Sequence, residues 1–189
     1  MMKILFVNAC LREESRTERL CRWYLERYEA DDNAEITELK LQDLPLQPLT
    51  AVGLRQRDAL AAAGDWDNCA FRYANEFAAA DKIIIGAPYY DLQFPALLKV
   101  YLENVSVCGI AFKYSKEGVP IGLCKADEMV YISTAGGFVG DFDFGYEYIK
   151  GLGKLLGIEN TREILAEGLD IIGNDVEKIL QQTREREQL

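Results

Sequence analysis

A short, continuous apolar run, Lys3-Ile4-Leu5-Phe6-Val7-Asn8, lies near the start of the sequence. Apolar residues without alternation are typical of a strand that is buried on both faces, as in a parallel sheet. The segments Lys82–Gly86 and Met129–Ser133 have the same character. The weaker segments Ala34–Leu41 and Arg162–Ala166 are expected at or near the edges of the sheet. The sequence therefore predicts five strands.

Helical patterns lie between these strands. The apolar positions of three helices recur at a spacing of three and four residues, which places them on one face. These positions are Leu20, Trp23, Tyr24 and Tyr28; Tyr148, Ile149, Leu152, Leu155 and Leu156; and Val176, Ile179 and Leu180. The last helix is expected to start at Asn174, with Glu177 three residues on. Two further helices are expected over Cys69–Ala80 and Pro95–Val105. Strand–helix alternation predicts an α/β fold with a doubly wound, five-stranded parallel sheet and helices on both faces.

Two connecting segments differ from this pattern. The stretch Gln42–Gly53 contains two of the five prolines and is predicted to be a surface loop. The stretch Phe112–Leu123 is rich in turn residues and predicts a small hairpin over one end of the sheet. Neither stretch has the composition of an interdomain linker, so the 189 residues are expected to form one domain.

Charge and hydropathy exclude several classes of partner. The chain has 21 Lys and Arg against 31 Asp and Glu, for a net charge of −10. Because nucleic-acid binding needs a concentrated basic surface, we expect no nucleic-acid partner. No apolar run approaches the roughly 20 residues of a membrane helix. The first seven residues are predicted to be a strand rather than a signal peptide. We therefore expect a cytoplasmic protein with no membrane partner.

The sequence contains no histidine. This absence excludes a Ser-His-Asp triad, a Cys-His pair, and histidine-ligated zinc or iron. The five cysteines, Cys10, Cys21, Cys69, Cys108 and Cys124, include no CxxC pair, so we expect no metal site. Reduced thiols are typical of a cytosolic protein.

The segment after the first strand, Asn8–Thr17, leads directly into a helix. Arg12, Arg16 and two hydroxyl residues at a helix N-terminus suit a phosphate group, which accepts backbone N–H bonds and is favoured by the helix dipole. Ser15-x-x-Glu18 is also an ordinary capping box, which would explain the serine without a ligand. The neighbouring acidic residues Glu13 and Glu14 oppose an anion site.

The segment after the third strand, Gly86–Pro95, places apolar and aromatic residues between two prolines. Such a stiff, flat surface suits a planar aromatic ring, although Tyr89 and Tyr90 could simply cover the end of the sheet. The segment after the fourth strand, Ser133–Gly140, has small residues and paired glycines that permit close backbone approach to a ligand. It is neither a GxGxxG motif nor a phosphate-binding loop with a lysine.

The carboxyl ends of parallel strands meet at one edge of the sheet, so these three segments are expected to lie together. A ligand with a phosphate at one end and a planar ring at the other would satisfy all of them, and flavin mononucleotide (FMN) fits this description. The sequence resembles the flavodoxin-like NAD(P)H dehydrogenases, which include FMN-dependent azoreductases and quinone reductases. The resemblance covers essentially the whole chain and is most specific over Ala87–Lys99. It extends to Ser15–Thr17, Thr134–Gly137 and Ala166–Asp170.

The resemblance implies a flavodoxin-like fold, a homodimer, and an FMN site on three groups of residues. The phosphate and ribityl chain would be bound by Ala9, Ser15, Arg16 and Thr17, with Arg12 nearby. The ring would be held by Pro88, Tyr89, Tyr90, Asp91 and Leu92, and its other edge by Thr134, Ala135, Gly136 and Gly137. Two positions depart from the family pattern. Ala9 replaces a frequent serine, and Asp91 replaces a more typical asparagine. We expect the Asp91 charge to lower the flavin potential.

The expected reaction is ping-pong transfer of a hydride from NADH or NADPH, through FMN, to a small aromatic acceptor. Quinones, azo compounds and nitroaromatics are the acceptor classes. We expect no catalytic side chain, because the chemistry takes place on the flavin. The aromatic residues Phe112, Tyr114, Phe138 and Phe142, together with Tyr89, are expected to wall the acceptor site.

Two alternatives remain open at this point. The segment Cys10–Thr17 fits the pattern C-x5-R-[S/T] of small tyrosine phosphatases, in which a cysteine thiolate attacks phosphate. Its two glutamates, and the lack of any Asp-Pro pair in the chain, count against this hypothesis. The second alternative is a flavodoxin-type electron carrier, whose acidic surface would dock a basic redox partner. The Phe112–Leu123 segment, interpreted as a pocket wall, favours the reductase.

Overall fold

Five parallel strands form the central sheet of the computed structural model, which describes residues 1–29 and 33–189. The strands of this sheet are β1 (Met2–Asn8), β2 (Ala34–Lys40), β3 (Lys82–Gly86), β6 (Glu128–Thr134) and β7 (Asn160–Ala166). Their order is β2-β1-β3-β6-β7, and every neighbouring pair is parallel. The two weakest predicted strands are therefore the edge strands, as expected.

Helices cover both faces of this sheet. The α-helices in the described residues are α1 (Arg16–Glu29), α2 (Ala51–Ala62), α3 (Arg72–Ala79), α4 (Ala96–Val105), α5 (Phe144–Leu156) and α6 (Val176–Glu187). Side chains of α1 and α6 pack with Ile4 and Phe6 on one face. Side chains of α3, α4 and α5 pack with Leu5 and Val7 on the other. Because successive strand residues point to opposite faces, the central strands need apolar residues at every position.

The helix α2 was not predicted, because it begins at Ala51, inside the expected loop Gln42–Gly53. A short 3-10 turn, Leu41–Asp43, precedes it. No residue of α2 is buried, so the segment lacks the apolar stripe by which a helix is recognised in a sequence.

Two other predicted boundaries were wrong. The stretch Cys69–Phe71 is a separate 3-10 turn, and α3 begins only at Arg72. The cap of α6 is Asp175, whose carboxylate accepts the Lys178 N–H at 3.1 Å. Asn174 instead donates from its side-chain amide to the Gly168 carbonyl at 2.7 Å.

The predicted hairpin is present as the antiparallel strands β4 (Phe112–Tyr114) and β5 (Pro120–Gly122). The residues that follow it bond to the ends of two helices: Cys124 N–H donates to the Leu156 carbonyl at 3.2 Å, and Lys125 N–H to the Ala78 carbonyl at 3.0 Å. Both helices have returned there to the amino ends of the strands. The hairpin therefore lies at the amino-terminal edge of the sheet, opposite the carboxyl ends.

Candidate functional site

A cavity of about 300 Å³ lies at the carboxyl-terminal edge of the sheet, within the size range of small-molecule sites. Four loops contribute to it, one after each of β1, β3, β6 and β7. Its lining residues are Leu11, Arg12, Glu14, Ser15, Arg16, Thr17, Pro88, Tyr89, Tyr90, Thr134, Ala135, Gly136, Leu169 and Asp170. The structure thus brings together ten of the fourteen predicted cofactor-binding residues.

The amino end of α1 forms one side of the cavity. The Ser15 hydroxyl accepts the Glu18 N–H at 3.2 Å, so it caps the helix as the capping pattern predicts. The N–H groups of Arg16 and Thr17 have no acceptor in the described part of the chain, as expected for the first turn of a helix. These two donors and the positive end of the helix dipole are available to an anion.

A buried hydroxyl pair joins this helix to β6. The side-chain oxygens of Thr17 and Thr134 lie 2.6 Å apart, and Thr17 is fully buried while Thr134 is 8% exposed. The bond fixes the start of α1 against the carboxyl end of β6. Only one of the two hydroxyls donates its proton in this bond, so the other hydroxyl can still donate to a ligand.

The loop after β3 forms the opposite side through Pro88, Tyr89 and Tyr90. Tyr89 donates from its backbone N–H to the Thr134 carbonyl at 3.0 Å and from its hydroxyl to the Phe142 carbonyl at 3.0 Å. The tyrosine is thereby fixed between the loops after β3 and β6.

The tip of this loop is a tight turn. Two reciprocal backbone bonds join Tyr90 and Gln93, at 3.1 and 2.8 Å. The central residues Asp91 and Leu92 have φ of 47° and 71°, a left-handed conformation that is strained for leucine. Both residues lie at the tip, and neither lines the cavity.

The loop after β6 and the turn after β7 close the third side. The N–H groups of Gly168, Leu169 and Asp170 donate to the carbonyls of Gly137, Ala135 and Gly136 at 2.9, 3.1 and 2.8 Å. A side chain at residue 136 would collide with the Asp170 carboxylate, which is the physical reason for a glycine there. Gly137 itself does not line the cavity.

The sequence analysis did not assign four of the lining residues, Leu11, Glu14, Leu169 and Asp170, to the cofactor. Leu169 and Asp170 follow the carboxyl end of β7, the fifth strand of the sheet. The rule that ligands bind beyond the carboxyl ends of parallel strands would have identified them if it had been applied to this strand. Ala9, in contrast, was predicted but is fully buried. Its N–H donates to the Gly86 carbonyl at 2.8 Å.

The charges at the cavity are mixed. Arg12 and Arg16 supply two cations, and Glu14 and Asp170 supply two anions. The Arg16 guanidinium donates to the Asp170 carboxylate at 2.7 Å and to the Leu169 carbonyl at 3.4 Å.

The four predicted acceptor-site aromatics divide between the two edges of the sheet. Phe138 and Phe142 belong to the loop after β6 and are 74% and 57% exposed. Phe112 and Tyr114 belong to the hairpin at the amino-terminal edge, so they cannot wall the cavity of their own chain. The order of the elements accounts for this location. The hairpin follows α4, which runs back to the amino-terminal edge of the sheet, and it precedes β6, which begins at that edge.

Cys10 does not have the properties of a phosphatase nucleophile. Its side chain is buried, and burial raises the pKa of the thiol to about 11. A nucleophilic cysteine needs the opposite shift, because the thiolate is the reactive form.

A perturbed carboxyl lies behind the loop after β6. Burial, together with the charge and hydrogen bond of Asp143, raises the pKa of Glu163 to about 8. The Asp143 side chain also accepts the Tyr146 N–H at 3.0 Å and so caps α5. Glu163 is therefore protonated near neutral pH without lining the cavity.

Comparison with known proteins gives a consistent result. The family described as having the flavodoxin-like fold matches residues 2–188. FMN-dependent NADH:quinone oxidoreductase 2 of Clostridium acetobutylicum is 36% identical over 194 residues, which cover 98% of this chain and 96% of that protein. FMN-dependent NADH:quinone oxidoreductase of Coprothermobacter proteolyticus is 35% identical, over 100% of this chain and 98% of that protein. The crystal structure of an azoreductase from Bacillus anthracis superposes with a TM-score of 0.85 at 26% identity, over 98% of this chain and 96% of that one.

Proposed function

The chain belongs to the family of proteins with the flavodoxin-like fold, and from this premise we propose that it is an FMN-dependent NADH:quinone oxidoreductase that also reduces azo and nitroaromatic compounds. The observation that carries the proposal is the cavity at the carboxyl edge. There, two free helix N–H groups and a fixed tyrosine platform lie at the same site. The relatives with 36% and 35% identity carry the name of this activity.

The phosphate end of FMN would be held at the start of α1. The free N–H groups of Arg16 and Thr17 point to an anion there, and Arg12 and Arg16 are the cations that line the cavity. The Ser15 hydroxyl oxygen accepts the Glu18 N–H, and a hydroxyl that accepts can also donate its proton to a phosphate oxygen.

The ring would be held between the platform and the small residues of β6. Pro88, Tyr89 and Tyr90 form one wall, and Thr134, Ala135 and Gly136 form the other. Asp91, Leu92 and Gly137 are chain neighbours of these residues, and we propose that they contact FMN through their backbone, whereas Ala9 is buried and its N–H is bonded to the Gly86 carbonyl.

FMN supplies the redox chemistry when bound, because it accepts a hydride from NADH and passes it to the acceptor. The protein orients the reactants and excludes water. Tyr89 keeps the platform in place through its bond to the Phe142 carbonyl, and the exposed rings of Phe138 and Phe142 offer apolar surface to a flat acceptor. NADH and the acceptor would use this open side in turn, so no acidic or basic side chain is required.

An electron carrier is the second candidate. The Phe112–Leu123 segment does not wall the cavity of its own chain. The exposed rings of Phe138 and Phe142 beside the cavity are the observation that still favours a reductase. A carrier would exchange electrons with a protein partner and would not need an aromatic acceptor surface at this position.

The first test is the visible absorption spectrum of the purified protein after addition of FMN and desalting. A retained flavin spectrum, followed by rapid NADH oxidation that depends on menadione, is the expected result. Retained flavin without NADH oxidation would favour the carrier. Protein that retains no flavin would contradict the proposal.

We also propose that the protein is a homodimer that contacts its partner through α2. None of the twelve residues of this helix is buried, although Val52 and Leu54 are apolar and are 55% and 37% exposed. A groove of about 1020 Å³ runs along the same helix, with Pro48, Leu49 and Leu60 among its lining residues. Exposed apolar surface of this extent is typical of an interface.

The oligomeric state can be measured by size-exclusion chromatography with light scattering. We expect a mass of about twice the 21.4 kDa of one chain. Val52→Asp would bury a charge in the interface and should shift the protein to monomer, whereas Ala62→Asp, at an exposed position of the same helix outside the groove, should leave it a dimer. A monomeric wild-type protein would contradict the proposal.

A cytoplasmic location is also proposed. All five cysteines are free thiols, which is typical of a reducing compartment. In the described residues, no helix is both long and apolar enough to cross a membrane. Fractionation of the source cells would test the location.

A further inference from the structure

Asp170 lies at the rim of the cavity, on the turn that follows β7. Its N–H donates to the Gly136 carbonyl, and the neighbouring Leu169 N–H donates to the Ala135 carbonyl. The Asp170 carboxylate occupies the space that a side chain at residue 136 would fill. Its position is therefore set by the backbone of two loops.

The Asp170 carboxylate forms an ion pair with Arg16, one of the two cations that line the cavity. The Nη1 atom of Arg16 donates to Asp170 Oδ1 at 2.7 Å, across 154 residues of sequence. The same atom donates more weakly to the Leu169 carbonyl. In residues 1–29 and 33–189, Arg16 has no other acceptor, so its side chain is directed to the turn after β7.

Carboxylates and phosphates accept hydrogen bonds from a guanidinium group in the same planar fork geometry. A phosphate at the start of α1 and the Asp170 carboxylate would therefore compete for Arg16. The pair is open to water, with 42% of the Arg16 and 71% of the Asp170 side chain exposed. An exposed pair of this kind is weak enough to be exchanged.

We propose that Asp170 is an internal competitor for the FMN phosphate, which must displace the carboxylate from Arg16 in order to bind. This inference rests on the proposed function. Asp170 then lowers the affinity for FMN without affecting flavins that lack a phosphate. It is a residue that determines specificity, and it acts through Arg16.

The test compares FMN with riboflavin, which has the same ring and no phosphate. Dissociation constants are measured by quenching of flavin fluorescence on the full chain freed of flavin, for the wild type and Asp170→Asn. We expect the variant to bind FMN roughly two- to fivefold more tightly, the equivalent of one exposed ion pair. Its affinity for riboflavin should not change.

Two further variants separate the competing explanations. Glu177→Gln removes an exposed carboxylate that pairs with Arg19 on α1, outside the cavity, and should leave the ratio of the two affinities unchanged. In an Arg16→Gln background, Asp170→Asn should no longer tighten FMN binding, because there is no guanidinium to release. Thermal unfolding monitored by circular dichroism verifies that each variant is folded.

Weaker FMN binding by Asp170→Asn would overturn the inference, since Asp170 would then position Arg16 for the phosphate. An equal gain for FMN and riboflavin, or no change at all, would also overturn it. A wild-type chain that binds neither flavin would instead contradict the proposed function, so the two failures can be distinguished.

Discussion

At the scale of single residues, the hydroxyl pair of Thr17 and Thr134 connects the cavity to the core. Thr17→Val would leave the Thr134 hydroxyl buried without its 2.6 Å partner. We expect the free energy of unfolding to fall by about 1–3 kcal/mol, measured by urea denaturation of the flavin-free protein. The double variant Thr17→Val/Thr134→Val should recover most of this loss, because no unpaired polar group remains. A double variant as unstable as the sum of both single variants would contradict the pairing.

Asp91 is the second residue with a predicted electrostatic effect. It is exposed at the tip of the turn after β3 and has φ of 47°, which asparagine also adopts readily. Asp91→Asn removes a negative charge without changing the turn. The flavin midpoint potential should therefore rise by on the order of 10–20 mV, as expected for a partly screened charge. Potentials are measured by equilibration with a reference dye. Asp58→Asn, on the distant helix α2, is the control, and an equal shift in both variants would exclude a local effect.

At the scale of secondary-structure elements, Glu163 introduces a pH dependence where β7 packs behind the loop after β6. Its pKa of about 8 in the folded protein lies above the ordinary value of 4.5. Between these values the folded chain retains a proton that the unfolded chain has lost. The contribution of Glu163 to the free energy of unfolding should therefore fall as the pH rises from about 4.5 to 8.

Glu163→Gln removes this titration. The free energy of unfolding of the variant minus that of the wild type should increase by about 1–2 kcal/mol from pH 5 to pH 9. Denaturant unfolding at both pH values measures this difference. Glu159→Gln replaces an exposed carboxylate just before β7 and serves as the control. A difference between the variant and the wild type that is the same at pH 5 and pH 9 would contradict the prediction.

At the scale of the whole molecule, we expect the two ends of the sheet to differ in function. Phe142 lies beside the cavity and Tyr114 lies at the opposite edge of the same chain, although both side chains are more than half exposed. Phe142→Ala should raise the KM for menadione roughly three- to tenfold, through lost apolar contact. Tyr114→Ala should leave the KM unchanged. A rise in KM for Tyr114→Ala would instead indicate that the hairpin of a second copy covers the cavity.

The sequence determined the parts of this protein that depend on local pattern. Uninterrupted apolar runs identified the five strands, and the two weakest runs correctly indicated the edges. Stripes of apolar residues identified helices such as α1 and α5, because burial of one helix face leaves a repeat in the sequence. The rule that parallel strands end at one edge then predicted that the segments Asn8–Thr17, Gly86–Pro95 and Ser133–Gly140 lie together. The structure brings residues of all three segments to one cavity.

The tertiary structure decided what depends on distant partners. The helix α2 leaves no pattern in the sequence because none of its residues is fully buried, and only Leu60 and Ala61 pack partly against a small cluster around Phe71. The hairpin lies at the amino-terminal edge because α4, which precedes it, runs back to that edge. The composition of the hairpin segment itself does not encode this location. The Arg16–Asp170 pair joins residues 154 positions apart, and the raised pKa of Glu163 comes from the packing of β7 against Asp143. Ion pairs and pKa values are set by distance and burial in space, so no local sequence pattern specifies them.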